Sequence, residues 1–61
     1  MIRHIIIAKV QDMVQRVTFM VDDINSFINA SPDALFVVSD ELTNKTCTVT
    51  RQDLNVISIY N

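Results

Sequence analysis

A chain of 61 residues has room for one domain, 1–61, and 49% of it is apolar, near the upper end for globular domains of any size. Five basic and seven acidic residues give a formal net charge of −2, and Arg3, Lys9, Arg16, Lys45 and Arg51 are scattered; affinity for nucleic acid rests on clustered cations that neutralise phosphates, so a nucleic-acid partner is excluded. A single cysteine and a single histidine exclude an internal disulfide and a Cys/His metal staple.

A domain this short buries only about 60% of its unfolded surface. Natural domains of this size add a disulfide, a metal or a partner chain. With the first two excluded, the expectation is a homo-oligomer, a dimer or higher, in which the apolar excess finds cover. No stretch reaches the roughly 20 apolar residues of a membrane span, so no membrane partner is expected. The opening Met1 to Lys9 has too short an apolar run for a signal peptide. With the unpaired thiol of Cys47, this points to a cytoplasmic location. No cofactor is implied. Glycine is absent, so Gly-rich phosphate loops are excluded and left-handed turn positions fall to Asn or Asp.

The first element is a strand over Ile2 to Val10. Ile5-Ile6-Ile7 is apolar on both faces, as in a central strand. Asp12 to Ala30 follows. Met13, Met20 and Phe27 recur every seven residues, Val14, Val21 and Ile28 recur one position later, and Val17 and Ile24 fill the gaps. That spacing predicts one long amphipathic helix, opened by Asp12 and Gln15 as a capping-box variant and stopped at Ser31-Pro32-Asp33. A rival reading makes Val17-Thr18-Phe19-Met20-Val21 a strand of high β propensity, with a short helix after Asp22. It requires a turn at Gln11-Asp12-Met13-Val14, which lacks Gly, Asn and Pro; the long helix is therefore preferred.

Leu35-Phe36-Val37-Val38 reads as a strand apolar on both faces. Asp40 to Lys45 is a turn with Asn44 as its positive-φ residue. Thr46 to Thr50 alternates, with Cys47 and Val49 inward and three threonines outward. Gln52 to Asn55 turns into a final strand, Val56 to Tyr60. The expected class is α+β, in the order β-α-β-β-β. A right-handed crossover makes the first two strands parallel, with one helix on one face of a mixed sheet. One helix covers one face only, so the other is expected to meet a second molecule.

No motif implies catalysis, and the chain is expected not to be an enzyme. His4 lacks a partner nucleophile in sequence, Cys47 reads as a small buried hydrophobe, and Asp22-Asp23 and Asp40-Glu41 lack calcium-loop spacing. Two candidate surfaces remain. Phe19, with Ile6, Phe36 and Val38, is the candidate interface. Thr46, Thr48, Thr50 and Arg51 beside Ser58 and Tyr60 form a candidate polar face for a small anionic or nucleotide-like ligand, provided the last two strands pair.

The layout resembles small acidic proteins of phages and spore-forming bacteria. The shared features are the apolar first strand, an acidic amphipathic helix ending Asn25-Ser26-Phe27-Ile28, and a last strand ending Ile57-Ser58-Ile59-Tyr60. The resemblance implies a phage or bacterial regulator or inhibitor that binds a host protein. The alternative is an oligomer holding a small polar ligand between subunits.

Overall fold

The segment expected to start a long helix is instead a turn. Asp12 takes a left-handed backbone, φ 71°, and the Met13 amide donates to the Val10 carbonyl at 3.0 Å. Aspartate tolerates this conformation better than any residue but Gly and Asn. The chain can therefore double back without the glycine that a tight hairpin usually uses. In the computed structural model, which describes residues 3–61, strand β1 (His4–Val10) pairs antiparallel with β2 (Arg16–Val21), from His4 opposite Val21 to Lys9 opposite Arg16. Ile2, assigned above to the first strand, lies outside the described residues.

This overturns the α+β class. The protein is a small, mostly β domain: its described residues form one five-stranded antiparallel sheet and a single short α-helix, α1 (Ile24–Ile28). The seven-residue recurrence of Met13, Met20 and Phe27 coincided with a two-residue alternation, and the alternation prevails. Val17 and Phe19 point into the core while Arg16 and Met20 point out. Val14, a stripe residue in the helical reading, is 85% exposed. The local hairpin also gives β1, apolar on both faces, a partner at the cost of a short loop.

After β2 the chain turns into α1. Asp23 caps it, accepting from the Asn25 amide (3.0 Å), the Ser26 amide (3.3 Å) and the Ser26 hydroxyl (2.9 Å). Strand β3 (Leu35–Asp40) returns beside β2, and β4 (Thr46–Thr50) forms a regular hairpin with it. Asn44, φ 61°, supplies the left-handed residue of that turn, as its residue type predicts. A 3-10 turn (Arg51–Asp53) then leads into β5 (Leu54–Tyr60), which pairs antiparallel with β1. The strand order is β4-β3-β2-β1-β5, so β1 and β3 are separated by β2 and there is no parallel crossover among the described residues.

That order forces curvature. In a flat five-stranded sheet the edges stand about 19 Å apart, at about 4.8 Å per strand. Thr50 ends one edge strand and Leu54 begins the other, and four residue steps reach at most about 14 Å. The sheet therefore curls until its edges approach at this corner. The 3-10 turn fastens the closure: the Arg51 amide donates to the Ala34 carbonyl (2.8 Å), Gln52 to Pro32 (3.0 Å), and the Gln11 amide to Asp53 (3.0 Å).

The core fills the concave side. Ile6, Ala8 and Val10 from β1 meet Val17 and Phe19 from β2, Val38 from β3, Leu54 from β5 and Phe27 from α1. Pairing between β2 and β3 is confined to Val17 opposite Asp40 and Thr18 opposite Ser39. Beyond these the strands part. The opening is plugged by three rings, Phe19, Phe27 and Phe36, with centroids 5.4–6.0 Å apart in tilted and edge-on pairs, the spacing aromatic quadrupoles favour.

Candidate functional site

Most of the residues singled out for chemistry are used to hold the fold. Asp23 caps α1. Its carboxyl is held below the usual aspartate range, first by the hydrogen bond from the Ser26 side chain and then by the Ser26 amide. Asp40 accepts from the amides of Leu42 (2.8 Å) and Thr43 (3.1 Å) and so shapes the β3–β4 turn. Glu41 pairs with Arg16 at 2.9 Å across the β2–β3 boundary. His4 begins β1, half-buried, with Nδ1 lacking a hydrogen-bond partner. Cys47, expected to be buried, is exposed. Its side of β4 faces Val38, but β4 is an edge strand with no neighbour to cover it. Among the described residues no three His, Cys, Asp or Glu side chains converge on a metal position.

The composite polar face does not assemble. Thr46, Thr48 and Thr50 share the convex face of β4, opposite Ser39, Val37 and Leu35. Ser58 and Tyr60 lie opposite Ile7 and Ile5, on the convex face of β5. The last two strands do not pair; they are the two edges of the sheet, with three strands between them. Arg51 is turned away from both groups. Its guanidinium donates to the Phe27 carbonyl (3.1 Å) and the Leu54 carbonyl (3.3 Å) and lies 4.2 Å from the centre of the Phe27 ring.

The candidate interface is corrected in the same way. Ile6, Val38 and Phe19 are buried in the core of the single chain, and Phe36 is packed against it. Ile6 and Val38, sealed in the core, have no surface for a partner; Phe19 and Phe36 keep a little, in two hollows of the surface.

What remains open is the convex face. Ile5 and Met20 are direct cross-strand neighbours there, and Leu35 and Val37 continue the face on β3, 68% and 66% exposed. Where β2 and β3 part, this face opens into a groove of about 460 Å³ lined by Ile5, Thr18, Phe19, Met20, Val37 and Ser39. A second hollow of about 360 Å³, floored by Val21, Phe27 and Phe36 and rimmed by Asp22, Asp23 and Ser26, begins on the other side of Met20. The signal for Leu35 and Val37 was present in the sequence, since the β3 run is apolar at every position and only half of it can face one core. Met20 was hidden by its place in the apparent helical stripe.

Among the described residues no helix is long and apolar enough to cross a membrane. No protein-family model, curated protein or solved structure matches the chain, so its function has to be argued from the convex face and its groove.

Proposed function

We propose that the chain is a non-catalytic, homo-oligomeric binding module of the bacterial or phage cytoplasm. It docks on another protein through the convex face of its sheet and regulates or inhibits that protein. One observation carries the reading: Ile5, Met20 and Val37 line an open groove in the convex face, and Leu35, two residues along β3 from Val37, is exposed on the same face. Soluble chains rarely leave such surfaces bare, and an apolar patch with a polar surround is the usual mark of a protein-binding site. Here the surround is Thr18, Ser39 and the β4 threonines. The groove fits one inserted aliphatic or aromatic side chain, the kind of anchor that dominates interface energies. The regulatory part of the reading rests on the resemblance to small acidic phage and spore-former proteins.

The test is a pair of affinity captures from bacterial lysate, one with the wild-type chain and one with Val37→Lys. Val37 is exposed, so the substitution leaves folding intact, while the lysine places a charge in the groove wall. The wild type retains a stoichiometric protein partner that the variant loses. Recovery of no partner, or equal recovery by both chains, overturns the reading.

A further inference from the structure

Along the concave side, Phe19, Ile6 and Ile59 form one cross-strand row through β2, β1 and β5. Phe19 is 9% exposed and Ile6 is sealed at 0%, yet Ile59, next in the same row, is 43% exposed. The core is unfinished at this edge. Val56, Ile57, Ile59 and Tyr60 of β5, with Ile5 beside Tyr60, make up five of the eleven large exposed apolar side chains among the described residues. One edge strand and its immediate neighbour thus gather more of these side chains than any other part of the sheet.

Edge strands in natural proteins are protected by charge, proline or bulges. From Leu54 to Asn61 this strand carries neither charge nor proline. Its one irregularity is a bulge at Ile57, skipped between the pairs Ile7–Ser58 and Ala8–Val56. The bulge interrupts the strand, and the segment after it, Ser58 to Tyr60, keeps a regular register with β1 while its other side is the edge of the sheet.

We infer that a second copy of this chain pairs there, β5 against β5, antiparallel about a two-fold axis through Ile59. This rests on the reading of the chain as an assembling module and names the assembling surface. In that register Ile59 meets its own copy on the concave side and extends the Phe19–Ile6–Ile59 row, while Ser58 meets Tyr60 of the other copy on the convex side. The two five-stranded sheets become one of ten strands, and the unfinished core of each is closed by the other. The opposite edge does not serve. Among the described residues none of the large exposed apolar side chains lies on β4, so that edge has no unfinished core for a second copy to close. A standard interface takes about 800 Å² from each partner, about a fifth of the 4285 Å² surface of the chain. The concentration of exposed side chains along β5 is of the right order to supply it.

Three proteins test this: the wild type, Ile59→Lys and Ile59→Glu, each checked for folding by circular dichroism. Sedimentation equilibrium at micromolar concentration gives the wild type a mass twice the 7.0 kDa of the chain. Each variant alone sets like charges at the axis and is monomeric, and an equimolar mixture of the two returns to the dimer mass, because Lys then faces Glu. A monomeric wild type overturns the inference, as do variants that still dimerise alone or a mixture that stays monomeric. Should either variant fail to fold, amide exchange of the wild type decides: protection of Ser58, Ile59 and Tyr60 rises with protein concentration, and exchange independent of concentration overturns the pairing. Val37→Lys keeps the dimer mass while losing the heterologous partner, so failure of the docking face and failure of β5 pairing are read separately.

Discussion

The guanidinium of Arg51 lies 4.2 Å from the centre of the Phe27 ring and donates to the carbonyl of the same residue at 3.1 Å. One side chain therefore ties the corner where the sheet closes to the only α-helix among the described residues. It does so twice, through the ring face and through a carbonyl near the helix end. The helix has five residues, too few to persist by its own hydrogen bonds. Its place depends on Phe27 in the core and on Arg51 above it.

Arg51→Ala is expected to lower the unfolding free energy by about 1–2 kcal/mol, since it removes a partly buried cation–π contact and charged hydrogen bonds. At about 4–8 °C per kcal/mol for a small domain, the melting point falls by a readily measured amount. Arg51→Lys keeps the charge but not the planar fork, and falls between the two. Urea unfolding of the three proteins checks the order; an alanine variant as stable as wild type would mean that the corner closes without this tie.

The two left-handed residues give a second prediction. Asp12 and Asn44 hold φ 71° and 61° in a chain without glycine. Asp12→Ala and Asn44→Ala each cost about 1 kcal/mol, because alanine keeps the Cβ that meets the following carbonyl but loses the short polar side chain that eases Asp and Asn into this region. Asp12→Gly and Asn44→Gly relieve that strain and remain near wild type or above it. Thermal melts of the four variants separate the two substitutions at each site, and alanine matching glycine at position 12 would remove the hairpin turn from the account.

Asp23 supplies the pH prediction. Its folded-state pKa is lowered, chiefly by the Ser26 hydroxyl, so the ionised form is favoured by folding. The stabilisation is fully present above the unfolded aspartate pKa, about 3.9, and is lost as pH falls through the lower folded value. Asp23→Asn still caps the helix but has no charge to lose. The stability gap between wild type and Asp23→Asn, measured by melting across acidic pH, therefore narrows as pH falls below the unfolded value. A gap of constant size down to pH 2 would show that the cap acts without ionisation.

The legible part of the fold was the part with one available period. Leu35 to Val38 and Thr46 to Thr50 alternate or run apolar over stretches too short for a helix, and Asn44 stands where a turn needs it; these read correctly. Residues 11 to 30 carried two periods at once. Val17, Val21, Ile24 and Ile28 satisfy helical spacing, whereas Val17, Phe19 and Val21 satisfy strand spacing. What separated the two was non-local: β1 needed a strand on each side, and Asp12 makes the turn without a glycine. The candidate polar face failed for a similar reason. Adjacency in sequence suggested that β4 and β5 pair, but the Arg51–Asp53 turn carries the chain across a curled sheet to its far edge.

The competing periods make opposite demands on two adjacent residues, and that is the sharpest test of the fold. In a helix Met20 lies on the buried stripe and Phe19 on the wet side; in the hairpin Phe19 is 9% exposed, against Phe27 and Phe36, and Met20 is 59% exposed. Phe19→Ala removes a ring from a three-ring plug, a loss of about 3–5 kcal/mol. That rivals the whole stability of a 61-residue domain, about 3–9 kcal/mol at ordinary values per residue. Met20→Ala changes stability by about 0.5 kcal/mol or less, as surface substitutions do. Phe19→Leu, which keeps apolar volume but not the ring contacts, recovers part of the loss and guards against reading simple non-expression as evidence. Urea unfolding of the three variants orders them Met20→Ala, Phe19→Leu, Phe19→Ala from most to least stable; the reverse order at positions 19 and 20 would restore the helix and remove the groove on which the docking face depends.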